Sequence, residues 1–486
     1  MPTAMPQYYK STLQPLQINQ PALQQTLKEL QRTVIQSTKV LQAGSPAPVS
    51  PSDHSSIYSG TAGIVLAFLR LERQKDVLGE TKLPDFGSLA NERIIPAGDV
   101  KLPPPGYMSP VGSSLGPLVV RVLAALEYPG QSASQNDIKL LNTALQRSLS
   151  HGHVVSSSSG DHIRGVDEVL YGRAGLLWAV VNIRYHRRAF DKEMKANTEP
   201  LFDALPRLVE AIIDGGRRGA RDYVKNYGEK DALPLMWAYK DKKYSLGAVH
   251  GIAGIITILL SCETEEINPY LPLITETITG LCRISIANDG HLPSSIPSRS
   301  RSRGSLLVQI CHGAPGLLNL LATARKNIHL RTHWKSEWDE AMHLGAERVW
   351  QEGLLSKGGS LCHGLTGNAL SLLALHESFE LEFESEEGNE ESDYFLSRAL
   401  ALLLLARETP PYSTALDIPS GYDFRMPDRP YSLYEGLAGE LCAWAEACVV
   451  IQARLCKEAG QTENQEIKEK ALGFPCLGGN GVRRVM

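Results

Sequence analysis

Two tripeptides of identical sequence carry the side chains best suited to chemistry. Cys311-His312-Gly313 and Cys362-His363-Gly364 each open a Gly-x-x-Gly turn, and they lie about fifty residues apart along the chain. Thiolate and imidazole are soft ligands that together fit zinc. Three protein ligands with an open fourth position is the pattern of a catalytic zinc site, and Cys311, Cys362 and His363 would supply three. The closely paired cysteine knuckles usual in structural zinc sites are missing from the sequence. Two buried cysteines beside functional histidines fit the same spacing, which leaves both readings open.

Bringing the two segments together requires a repeating architecture. Seven turns of one kind recur: Gly60 to Gly63, Ser113 to Gly116, Gly172 to Gly175, Gly251 to Gly254, Gly313 to Gly316, Gly364 to Gly367 and Gly436 to Gly439, the second with Ser113 in place of glycine. Each precedes a run that is apolar on nearly every side, such as IVLAFLRL or ELCAWAEACVVI, which marks a helix buried on all faces. Between them lie amphipathic stretches with apolar residues at three and four spacing, at residues 22–41, 137–149, 202–213, 337–350 and 394–407. The alternation predicts an all-α fold, an α/α toroid of seven inner and seven outer helices whose inner helices all start at glycine turns. Glycine suits such a turn because it accepts positive φ and close backbone approach. Two insertions interrupt the pattern: a basic, aromatic one at about 215–245, and an acidic one at about 379–392 that reads as a solvated loop. The whole chain, 1–486, is expected to form one domain with its repeat core at about 55–450.

The bulk properties narrow the class. Hydrophobic residues make up 43% and charged residues 21%, ordinary globular usage. The net charge of −4 comes with no dominant basic stripe, which argues against nucleic-acid binding. No signal peptide and no apolar run long enough to span a bilayer are evident, so a cytoplasmic protein without stable membrane insertion is expected. Eight cysteines are too sparse for a disulfide framework, and free thiols are expected.

The seven turns, together with CHGAPG, LCHGLTGNA, VHGIAGI, DEVLYGRAGLL and SLYEGLAGELC, resemble the lanthionine synthetase C-like family from about residue 55 to 450. KGGSLCHG, and Phe474-Pro475 near the end, are most similar to the eukaryotic, glutathione-associated branch. The resemblance implies an α/α toroid with one zinc ion held by Cys311, Cys362 and His363. It implies addition of a thiol, glutathione in the eukaryotic branch, to dehydroalanine or dehydrobutyrine residues of a peptide or protein. That Michael addition gives a thioether and needs a proton donor at Cα. His250, in register before the fourth turn, is the candidate acid; otherwise it is a cap or packing residue. His312 follows a ligand and could hydrogen-bond the enolate oxygen or the substrate thiol.

Lys357 falls at the family's glutathione-associated lysine and would pair with a carboxylate; otherwise it is a solvated surface lysine. Asp167 and Glu168, before the third turn, could bind or orient the peptide, although carboxylates there also stabilise a helix N-terminus. The stretch that holds Arg301 and Arg303 reads first as a mobile, phosphorylatable loop; alternatively the two arginines guide an anionic substrate. Two departures from the family pattern stand out: Ile310 replaces a frequent tryptophan, and Leu307 replaces an arginine of the bacterial cyclases. A non-catalytic zinc- and glutathione-binding adaptor shares every motif. An α/α-toroid glycosidase would need two acids at the mouth, where these turns offer Cys and His.

Overall fold

The computed structural model describes residues 5–48, 56–79, 82–95, 100–127, 134–156, 162–186, 192–297, 306–381, 393–460 and 464–478. Arg301, Arg303 and most of the acidic insertion lie outside these. Seven inner helices begin at the predicted turns: Thr61–Gln74, Gly116–Glu127, Arg173–Tyr185, Ile252–Leu259, Ala314–Lys326, Leu365–Leu375 and Leu437–Glu458. Each packs on the next, and the seventh packs on the first, which closes an α/α toroid. Every residue of Leu365–Leu375 is buried, as its all-round apolar sequence requires. Outer helices lie outside this ring. Gln20–Gly44, for example, packs on the last inner helix, so the chain's first helix helps to seal the ring at its last.

The glycines serve close approach far more than unusual dihedrals. At the second glycine of six turns, a Cβ would come within about 3 Å of the carbonyl oxygen six residues earlier. The distances are 2.0 Å for Gly63 to Ile57, 2.1 Å for Gly175 to Val169, 1.6 Å for Gly254 to Ala248, 3.0 Å for Gly316 to Ile310, 1.8 Å for Gly367 to Leu361 and 2.0 Å for Gly439 to Leu433. Among the glycines that open these turns, only Gly313 has positive φ, at 138°. The loop folds back so tightly that its carbonyls accept hydrogen bonds from the first helical N–H groups, as in Leu365 to Gly358 (2.9 Å) and Arg173 to Val166 (2.7 Å). That satisfies donors a helix start otherwise leaves open.

The seven turns are also stitched to one another. Backbone N–H groups donate across neighbouring turns: Tyr58 to Val111 (2.7 Å), Ser109 to Tyr171 (3.0 Å), Leu170 to Val249 (3.4 Å), Ala248 to Ile310 (3.0 Å), Cys311 to Cys362 (3.4 Å), Cys362 to Tyr434 (2.8 Å) and Tyr434 to Tyr58 (3.1 Å). The circle is complete, and residues far apart in sequence share one rim.

Two details lie beyond what the repeat specifies. The fold is not purely helical: short antiparallel pairs join Val154–Ser156 to Ile163–Gly165, and Tyr244–Ser245 to Ser295–Ile296. The basic insertion is partly helical. Its first half extends the outer helix Leu205–Tyr227, where Gly215, Gly216 and Gly219 make a flat face. A Cβ on Gly219 would lie 2.0 Å from the Met236 carbonyl oxygen, and one on Gly216 2.7 Å from the Trp237 ring. These glycines are a seat for residues 235–237, pinned by Trp237 Nε1 donating to the Ile212 carbonyl at 2.8 Å.

Candidate metal centre and acid–base site

The residue two before the first glycine of each turn forms the inner ring of hydrogen bonds, and the next residue flanks it. Cys311 and Cys362 occupy the first of these positions in the fifth and sixth turns; His250, His312 and His363 occupy the second in turns four to six. Because adjacent turns are hydrogen-bonded, the ligand atoms of Cys311, Cys362 and His363 all lie within 4.8 Å of one another, with both cysteines buried. This is the only such cluster of metal-binding side chains among the described residues. Two sulfurs and one imidazole nitrogen at that separation fit a zinc ion with its fourth position open.

The surroundings favour thiolate. Gln309 Nε2 donates to Cys311 Sγ at 3.0 Å. The Cys311 thiol is held well below its usual range, first by a hydrogen bond from Cys362 and then by His363 and His312, against the effect of burial. The same hydrogen bond, with burial, pushes Cys362 up. Tyr58 lies within hydrogen-bonding reach of Cys362, and its ring stacks on Tyr434 at 4.7 Å. Tyr434 in turn donates its hydroxyl to the Pro475 carbonyl at 2.7 Å, so the chain's C-terminal segment props the ring from below.

The histidines differ in environment. His250 Nδ1 lies 2.5 Å from Glu168 Oε2. Burial disfavours its charge, but the Glu168 carboxylate and its hydrogen bond together outweigh burial and raise the pKa above the ordinary value. His312 has no such carboxylate contact, and burial pulls its pKa down. The two rings stack with centroids 5.6 Å apart, and Tyr239 covers His250 at 4.7 Å. One imidazole is therefore biased toward the cation and its neighbour toward the neutral form.

The remaining expected site residues separate. Lys357 is exposed on a turn whose neighbours Ser356 and Gly358 are buried, and its charge reaches His312. Glu168 joins the mouth through His250. Asp167 does not: its carboxylate is buried against Gly215 of an outer helix and pairs with Arg173 at 3.0 Å. Burial pushes Asp167 up to about 6, against the pull of Arg173. Asp167 and Glu168 are adjacent in a turn, so their side chains diverge, one outward and one to the mouth.

Tyr58, Gln309, Tyr239 and Arg164 were not singled out from sequence. Tyr58 shares the ring position of Cys311 and Cys362, so the register held its signal. Arg164 and Tyr239 come from a strand and an insertion that no repeat predicts.

The described pattern of "Lanthionine synthetase C-like protein" matches residues 122–447, well over half of the chain. The chain belongs to the lanthionine synthetase C-like family. Glutathione S-transferase LANCL1 of Danio rerio is 27% identical over 386 residues, which cover 79% of this chain and 80% of that one. LanC-like protein GCL1 of Arabidopsis thaliana is 28% identical over 278 residues, 57% of this chain and about half (54%) of the relative. Nisin cyclase covers 94% of this chain at 13% identity and a TM-score of 0.42. The fold assignment rests on the closed ring of helices and the family match, not on that likeness. Among the described residues no helix is long and apolar enough to cross a membrane.

Proposed function

We propose that this chain is a zinc-dependent enzyme that adds the thiol of glutathione to dehydroalanine or dehydrobutyrine residues in a peptide or protein. The observation that carries the proposal is the convergence of Cys311, Cys362 and His363 beside a carboxylate-backed histidine. The similarity to a protein named glutathione S-transferase LANCL1 supports glutathione as the thiol.

Zinc bound by the three ligands would keep a fourth, substrate thiol deprotonated at neutral pH and thus nucleophilic. The protein's own groups do the rest. Lys357 pairs with a glutathione carboxylate. The C–S bond forms at the alkene β-carbon while the π electrons move into the neighbouring carbonyl. His312, neutral, donates a hydrogen bond to the enolate oxygen or orients the thiol. His250, kept cationic by Glu168, delivers a proton to Cα, and the proton lost by the thiol restores it. Glu168 acts through His250 rather than on the peptide, and Asp167 takes no part.

Mass spectrometry of a dehydroalanine peptide incubated with glutathione and the protein, alongside metal analysis, tests the proposal. The expected result is one zinc per chain and a mass gain of one glutathione. Zinc without adduct would leave a zinc- and glutathione-binding adaptor.

A further inference from the structure

Arg164 lies on the short strand Ile163–Gly165, off the repeat, and its side chain is 20% exposed. Its guanidinium rests against the rings of Tyr107 and Tyr171, each 4.2 Å from the guanidinium carbon, and the two rings meet edge to face with centroids 5.3 Å apart, so they contact it from neighbouring sides. It donates through Nη1 to Tyr107 Oη at 2.7 Å and through Nη2 to Glu168 Oε1 at 2.9 Å. The other oxygen of the same carboxylate, Glu168 Oε2, is the one 2.5 Å from His250 Nδ1. The four side chains thus form one continuous path, Tyr107 to Arg164 to Glu168 to His250.

We propose that Arg164 is a positioning residue for the acid–base histidine: held against two tyrosine rings, it locks one oxygen of Glu168 so that the other can face only His250. The inference rests on the functional reading above and deepens it.

Three physical points support it. A planar, permanently charged guanidinium has donors on separate nitrogens that can reach two acceptors at once, which an ammonium cannot do with the same geometry. Contact with two aromatic rings and a hydrogen bond to one of their hydroxyls restricts the rotamer freedom that leaves most arginine ion pairs weak. Glu168 is buried, with its side chain 3% exposed, so no bulk water stands ready to replace Arg164 at Oε1. The strand itself is fixed. Gly165 N–H donates to the Tyr239 carbonyl at 3.0 Å, and a Cβ on Gly165 would lie 1.6 Å from the Ala238 carbonyl oxygen. The segment that carries the clamp is therefore pressed onto the segment whose Tyr239 ring covers His250. With Nδ1 held by Glu168 and the ring between Tyr239 and His312, His250 Nε2 is the nitrogen left for a substrate.

The positive charge of Arg164 opposes protonation of His250. Removing it leaves His250 protonated but a weaker donor, so the His250 Nδ1–H signal, not turnover alone, reports the lost geometry.

The test uses full-length, zinc-loaded protein with Arg164→Gln, Arg164→Lys and Tyr107→Phe. Kinetics are read with glutathione and a dehydroalanine peptide, and the His250 Nδ1–H proton and ring-nitrogen resonances are read by NMR. Arg164→Gln is expected to lower kcat about 10–100-fold, the usual range for a group that orients a site residue. KM should stay within about two-fold and zinc content should not change. The downfield Nδ1–H signal should weaken or vanish. Arg164→Lys should recover part of kcat, and Tyr107→Phe should give the smallest loss. A folded, zinc-loaded Arg164→Gln protein with an unchanged His250 signal and unchanged kcat would overturn the clamp. If that variant does not fold, an unchanged His250 signal in Arg164→Lys overturns it equally. Wild-type protein that forms no adduct would refute the functional reading instead, while the His250 resonances still decide the clamp.

Discussion

The two sides of the mouth are built by different means. The metal side uses repeat positions: Cys311 and Cys362 sit at equivalent places of adjacent turns, with His363 next to Cys362, and the three meet because the turns are hydrogen-bonded in a circle. The acid–base side takes His250, and His312 stacked on it, from the repeat. Glu168 lies two residues before the ring position, Arg164 comes from a strand and Tyr239 from an insertion. A repeat can deliver identical backbone sites cheaply in sequence terms, but orienting a proton donor needs contacts from several directions. Metal binding and proton transfer should therefore be separable by mutation.

The largest effect should come from the metal side. Cys362→Ala removes a ligand, and zinc content by elemental analysis should fall to near zero with glutathione adduct no longer detectable. A variant that kept stoichiometric zinc would break the ligand assignment and with it the contrast between the two sides. Next, His250→Asn should retain one zinc per chain while lowering turnover about 100-fold or more, the lower end of general acid–base contributions. Parallel zinc and activity loss in that variant would show the sides to be one unit.

The third effect is a pH shift. The folded pKa of His250 is raised, so its cation, and the rate it supports, should persist above the ordinary value of about 6.5 and decline as pH rises through the raised value. Stability from the His250–Glu168 pair has the same sign: it is fully present below about pH 6.5 and is lost as pH climbs through the folded pKa. Glu168→Gln removes the raising group, so the basic limb of the kcat profile should move to lower pH. A limb that stays in place would assign it to another group. Smallest is Lys357→Met, expected to raise KM for glutathione about 3- to 10-fold, the worth of one exposed to partly desolvated charge pair, with kcat and zinc unchanged.

The same division governs what was legible beforehand. The candidate ligands and His250 could be named because they fall one or two residues before a recurring glycine turn, whose register is marked by a close backbone approach at its second glycine. Lys357 rested on family likeness alone. Asp167 and Glu168 could not be told apart, since neighbours in a turn point in different directions and only the packing says which faces the mouth. Glycine lowers helix propensity by roughly 1 kcal/mol per residue, and that Gly215, Gly216 and Gly219 nevertheless stand in a helix shows only in the tertiary contacts of Gly216 and Gly219 with Trp237 and Met236.

By itself the sequence determined the seven-fold alternation, the all-helical ring it builds and the soft donor set at two of its turns. Those are local patterns: burial periodicity, a backbone approach only glycine permits, and residue types that bind a metal wherever they meet. Tertiary structure alone decided which carboxylate backs His250, which arginine holds that carboxylate, and that an insertion supplies the ring covering the acid. Such choices depend on side-chain direction and on segments brought together by folding, and no spacing along the chain encodes them.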